Sequence, residues 1–90
     1  MRRFELGVVV ATPGALEILG NLEISPSELI EQHASGDWGE VPSKDARENE
    51  YSLKHGFRVL SSYPLPSGER IWIITEADRS STCLLLPREY

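Results

Sequence analysis

Cysteine is nearly absent from this chain. Cys83 stands alone among 90 residues, which excludes an intrachain disulfide and a thiolate zinc quartet and leads us to expect a reducing compartment, the cytoplasm. Long apolar runs are lacking as well. No stretch approaches the roughly 20 residues of a membrane-spanning helix, and Glu5 breaks the opening "MRRFELGVVVA" so early that a strand is expected there rather than a signal peptide. Basic residues are few: 9 Lys and Arg face 14 Asp and Glu, a net charge of −5. That balance excludes the dense cationic surface that binds duplex DNA by counterion release. A phosphate-cradling glycine loop is missing too, since Gly36 and Gly39 follow a helical pattern and Gly14 is isolated.

What is present is globular. An apolar share of 40% with 26% charged residues suits a folded domain rather than a disordered one. Ninety residues enclose one core, so a single domain over 1–90 is expected. The charge is uneven. Residues 1–50 hold ten acids and four bases, whereas 51–90 hold four acids and five bases, so an anionic ligand should prefer the second half.

The segment "RFELGVVV" alternates Phe4, Leu6, Val8 and Val10 on one side and predicts a strand. Thr12-Pro13 then opens a short helix through "PGALEILG", with Leu16 and Leu19 facing inward. "SPSELIEQHASG" carries a second start, in which Ser25 caps, Pro26 begins the turn and Glu28 reaches back. That helix should end near His33, with Gly36 beyond it. Ser43 is placed to cap a third helix through "KDARENEYSLKH", whose thin stripe of Ala46, Asn49 or Glu50 and Leu53 suggests a surface position. From Phe57 the period becomes two: "FRVLSSY", "ERIWIIT" and "TCLLLP", separated by the turn clusters "PLPSG" and "EADRSS", predict an antiparallel meander. The expected fold is therefore α+β: a four-stranded, mainly antiparallel sheet, made of the C-terminal meander and the N-terminal strand, with two or three helices on one face.

Two polar regions are candidate sites. One is the loop around His33, Asp37 and Trp38; the other is the hairpin "TEADRSST" with Thr75, Glu76, Asp78, Arg79, Ser80 and Thr82. Asn49, Arg58, Ser61 and Tyr63 complete the set. In a metal-independent ribonuclease, His33 would shuttle protons, Arg58 and Arg79 would hold the phosphate, and Ser61, Tyr63 or Thr82 would add neutral donors. A structural account runs beside it: His33 closes an apolar face, the hairpin hydroxyls bond their own backbone, and Trp38 folds back as a lid. Trp38 as a stacking plate, with Asp37 orienting His33, is the functional counterpart. Trp72 is expected in the core. Cys83 reads as a small buried hydrophobe. No metal site and no cofactor are expected, because His33, Asp37, His55, Glu76 and Asp78 lack the spacing of helix- or loop-borne ligand sets.

The pieces "TPGALEIL", "HASGDWGE", Asn49, "GFRVLSSY", "IWIITEADRSST" and "LLLPREY" resemble, over nearly the whole chain, a family of small uncharacterised bacterial proteins of plasmids and other mobile elements. Members of that family often carry the label "type I restriction endonuclease subunit M" or "plasmid-related protein". The resemblance implies a setting rather than a mechanism. More distantly, helices followed by an antiparallel sheet resemble the small ribonuclease toxins of the barnase and RelE type, in architecture alone.

Three functions are carried forward. The first is an accessory protein of a mobile element that binds a protein or nucleic-acid-related partner through the 33–39 loop and the 75–82 hairpin. The second is the ribonuclease using His33 with Arg58 and Arg79. The third is an acidic decoy of a nucleic-acid-binding protein, suggested by five acids against two bases from Asp37 to Glu50.

Overall fold

The computed structural model describes residues 1–90. Its elements are β1 (Val8–Ala11), α1 (Pro13–Asn21), α2 (Pro26–Ala34), α3 (Ser43–His55), β2 (Val59–Pro64), β3 (Arg70–Thr75), β4 (Ser81–Leu85) and a short 3-10 turn at Pro87–Glu89. The fold is α+β. β2, β3 and β4 form the antiparallel meander, and β1 lies beside β4 in the order β1-β4-β3-β2. The β1–β4 pair is parallel, with Val8 opposite Ser81 and Ala11 opposite Leu84. A parallel neighbour needs a long connection, which the helices and the rest of the meander supply.

Strand alternation divides the sheet into two faces. Toward the helices point Ser61 and Tyr63 of β2, Ile71, Ile73 and Thr75 of β3, and Thr82 and Leu84 of β4, all buried. Ala15 and Leu19 of α1 join Tyr63, Leu65, Ile71, Ile73, Leu84 and Leu86 in one apolar cluster. Each fully buried large side chain there contributes roughly 1.5–3 kcal/mol. The opposite face carries Leu60, Trp72, Ile74, Cys83, Leu85, Val8 and Val10; no α-helix covers it, but Ile74 and Leu85 are buried and Tyr90 packs on Trp72.

The first strand is shorter than its alternation suggests. Gly7 turns the backbone with φ +65, and a Cβ there would collide with the carbonyls of Arg79 and Ser80. The kink puts Leu6 in the core while Val8 and Val10 stand in solvent, so the four residues expected on one side are split. Leu16 is another correction: it is 51% exposed, and Ala15 takes the inward place beside Leu19. Thr12 does cap α1, accepting from the Ala15 amide at 3.1 Å. Ser25 makes no such bond, because its hydroxyl pairs with Ser27 at 2.8 Å instead. Trp72 is half-buried on the uncovered face rather than enclosed in the core.

The two edges of the sheet differ in kind. On β2 the outward backbone groups of Leu60 and Ser62 are occupied. Asn49 of α3 donates to the Leu60 carbonyl at 2.7 Å and accepts from the Leu60 amide at 3.1 Å. The Ser62 amide donates to the Trp38 carbonyl at 3.0 Å, and the Ser62 carbonyl accepts from the Glu40 amide at 2.7 Å. Pro64 has no N–H to present. On β1, Val8 and Thr12 donate to the carbonyls of Ser80 and Leu84, so by alternation the N–H and C=O groups of Val9 and Ala11 face away from the sheet. No segment pairs with them.

Candidate functional site

His33 lies at the centre of a polar chain sealed inside the protein. Its Nδ1 is 2.5 Å from the Ser61 hydroxyl and its Nε2 is 2.9 Å from the Thr75 hydroxyl. Thr75 Oγ1 lies 2.7 Å from Thr82 Oγ1, which donates to the Leu6 carbonyl at 2.7 Å. His33, Ser61, Thr75 and Thr82 are all fully buried.

Donor counting fixes every proton in this chain. The Leu6 carbonyl can only accept, so the single Thr82 hydrogen is used there. Thr75 must then donate to Thr82, and His33 Nε2–H must donate to Thr75. That leaves Nδ1 with its lone pair toward Ser61, whose hydroxyl donates. A second proton on the ring would require Ser61 to accept instead. Burial, with a further contribution from the Arg79 charge, holds the imidazole pKa down to about 4. At neutral pH the ring is uncharged.

Serine, histidine and a third hydroxyl in a row match the order of a nucleophile, base and orienting group. The setting differs from a catalytic one. Ser61 has no solvent path, and the ring is walled by Phe4 at 5.2 Å and Trp38 at 6.0 Å between centroids. The arrangement locks α2 onto β2, β3 and β4 and leaves no buried side-chain polar atom unpaired.

The loop after α2 is built to be rigid. Gln32 donates to one Asp37 carboxylate oxygen at 2.8 Å, and the Gly39 amide donates to the other at 3.1 Å. Asp37 therefore braces its own loop and does not orient His33, a role that Thr75 fills. Tyr63 donates its hydroxyl to the Asp37 carbonyl at 2.5 Å, and burial pushes that phenol up to about 12, so it remains a donor. Gly39 needs its φ of +73, and a Cβ there would strike the Ser62 carbonyl. Trp38 is 7% exposed, stacks on Phe4 and donates Nε1 to Glu50 at 3.3 Å. It is a lid, with no face free for a base.

The hairpin is likewise occupied. Arg79, at φ +61, donates to the carbonyls of Phe57 at 2.7 Å, Glu76 at 3.1 Å and Ser52 at 3.2 Å, and its guanidinium sits 5.6 Å from the Phe4 ring centroid. It ties the turn to the C-terminal end of α3, where the carbonyl ends favour a cation. Asp78 accepts from the Ser80 amide at 3.0 Å, and the Ser80 hydroxyl and amide hold its carboxyl below the ordinary range. The Glu76 backbone pairs with Ser81 and Arg79.

Among the expected residues, the structure brings together His33, Ser61, Thr75 and Thr82, with Arg79 near enough to influence the ring. Arg58 is not part of that group. It lies on the opposite face of the sheet, where Nη2 donates to the Tyr90 hydroxyl at 3.2 Å. His33, Arg58 and Arg79 thus share no phosphate-sized position. Three of the five carboxylates of the acidic stretch are tied up: Asp37 in its own loop, Glu50 with Arg3 at 2.7 Å and Glu40 with Arg70 at 2.9 Å. No three His, Cys, Asp or Glu side chains converge.

Comparison with known proteins returns nothing. No family model, curated protein or solved structure matches this chain. Two surfaces that local sequence patterns do not mark as sites stand out on the folded chain. One is the open edge of β1, signalled by three successive valines, Val8 to Val10. The other is a cleft of about 230 Å³ on the uncovered sheet face, lined by Arg58, Leu60, Trp72, Ile74 and Tyr90.

Proposed function

We propose that this protein is a non-catalytic recognition module that takes an extended, apolar segment of a partner protein as an additional strand beside β1. The resemblance to plasmid and mobile-element proteins supplies the setting, an accessory role in a bacterial cell. The observation that carries the reading is the contrast between the edges: β2 is closed at Leu60 and Ser62, while β1 presents the outward groups of Val9 and Ala11 to solvent.

Natural sheets blunt their edges with charge, proline, bulges or covering segments. β1 is short, at four residues, but carries no charge, proline or covering segment along its length. Val8, Val9 and Val10 are 66%, 42% and 47% exposed, so an added strand would gain main-chain bonds and apolar contact together, as strand-addition modules do. Carboxylates bracket the edge: Glu5 precedes it, and Glu89 accepts from Thr12 at its far end. Antiparallel pairing of two copies would bring those acids toward each other. A partner segment with basic flanks would meet complementary charge instead. In this reading the 33–39 loop and the 75–82 hairpin serve the surface indirectly. The loop closes the other edge, and Ser80 anchors Val8 at 3.0 Å.

A synthetic peptide of alternating valine and threonine flanked by lysines tests the idea. Titration followed by amide chemical shifts should move Val9 and Ala11 most, and binding should weaken as salt rises. Val9→Pro removes an outward N–H without touching the β4 ladder, so it should stay folded and reduce peptide affinity at least about tenfold, a main-chain bond and its neighbours lost. Equal affinity for the wild type and Val9→Pro, or no binding to a folded wild type, overturns the proposal.

A further inference from the structure

We infer that the cleft on the uncovered sheet face is a binding site for a small aryl carboxylate, a single aromatic ring carrying one anionic group. This stands apart from the strand-addition reading, since the cleft lies at the β2–β3 side and β1 at the other edge.

Four of the five lining residues are apolar or aromatic: Leu60, Trp72, Ile74 and Tyr90. Register explains their convergence. Leu60 pairs with Ile74, and Trp72 lies two residues before Ile74 on the same face of β3. The rings of Trp72 and Tyr90 stand 5.8 Å apart at 70°, forming an aromatic corner. A third ring placed in such a corner meets one face and one edge, the two arrangements that aromatic quadrupoles favour.

The fifth residue is the cation. Arg58 forms no ion pair, unlike Arg2, Arg3, Arg70 and Arg88, and its one recorded side-chain bond is to the neutral Tyr90 hydroxyl. A guanidinium at the mouth of an apolar cleft, with donor sites to spare, matches the planar fork of a carboxylate. Size limits the ligand. An apolar cavity of about 150 Å³ holds benzene, so about 230 Å³ accommodates one ring with a short acid arm. Few atoms and an open mouth limit the affinity as well, to a Kd on the order of 0.1–1 mM.

Phenylacetate and its neutral amide, phenylacetamide, form the test pair, with binding followed by Trp72 fluorescence and by amide shifts on the whole chain. Phenylacetate should bind in the expected range and shift Leu60, Trp72 and Ile74, while phenylacetamide should bind at least about tenfold more weakly, as the loss of one charge-assisted contact implies. Arg58→Gln should reduce the phenylacetate affinity to that of the amide, and Trp72→Ala should abolish binding. Arg47→Gln, an exposed change on α3, should leave binding unaltered. Should Trp72→Ala fail to fold, Arg58→Gln and the amide still decide. Equal affinities for acid and amide, unchanged binding in Arg58→Gln, shifts elsewhere on the surface, or no binding at 10-fold above about 1 mM each overturn the assignment.

Discussion

At the scale of single residues, His33 illustrates how one side chain changes meaning with its surroundings. In the open, an imidazole titrates near 6.5; here burial and, after it, the Arg79 charge hold it at about 4. The unfolded chain therefore binds a proton between those values and the folded chain does not. Stability must fall as the pH drops through that window, by about 1.4 kcal/mol per pH unit and about 3 kcal/mol in all. Glu31, Glu50, Asp78 and Glu89, whose carboxyls are held below their ordinary range by Arg2, Arg3, Ser80 and Thr12 respectively, add losses only at lower pH. Urea midpoints at pH 7, 6 and 5 should show this slope in the wild type. His33→Gln should be less stable at pH 7 and nearly flat across the same range. A wild type as flat as the variant would mean that water reaches the ring.

Among the elements, Asn49 and the two central valines of β1 carry the sharpest expectations. Asn49 is the only side chain that satisfies both outward groups of Leu60, and an alanine there would leave an amide and a carbonyl poorly solvated beneath α3. A loss of about 2–3 kcal/mol is expected for Asn49→Ala in chemical denaturation, with faster hydrogen exchange at Leu60. Val9 and Val10 differ by one position and by everything that matters for a ladder. Val9→Pro should lower stability by less than about 1 kcal/mol, since its N–H faces outward. Val10→Pro, whose N–H faces β4, should cost about 3 kcal/mol or more. Similar midpoints for the two variants would place the ladder on the wrong side of β1.

For the molecule as a whole, the sheet separates two tryptophans with different fates. Trp38 caps the helix-covered side against Phe4 and His33, whereas Trp72 stands half-buried on the other, half-covered side near Tyr90. Acrylamide should therefore quench Trp72 in a Trp38→Phe variant several-fold more steeply than Trp38 in a Trp72→Phe variant, because only the former has a face near solvent. Equal quenching would contradict the sheet's two-sidedness. The exposed ion pairs, Arg2–Glu31 and Arg88–Glu69 among them, hold little of the fold. Removing either arginine should change stability by less than about 1 kcal/mol.

How much of this was legible beforehand follows from the range of each interaction. The meander was readable because Phe57 onward alternates and its turns are marked by proline, glycine and aspartate, all local signals. Thr12-Pro13 announced α1 for the same reason. Leu16 was misassigned because a short helix with leucines on two sides does not say which side meets a sheet. Period alone also misplaced Trp72, since a strand buried on one face and half-covered on the other has apolar residues at both parities. His33 and Arg79 drew attention by their chemistry, yet their partners, Ser61 and Thr75 for one and the carbonyls of Ser52 and Phe57 for the other, lie tens of positions away.

Composition and spacing by themselves determined the element types, the α+β class and the one-core size, because those depend on neighbours along the chain. Only tertiary structure decided that a histidine would be sealed rather than exposed, that β1 would lie parallel to β4, and that one edge would be closed and the other left open. Those outcomes rest on hydrogen bonds and burial between distant segments, and no local pattern encodes which distant groups will meet.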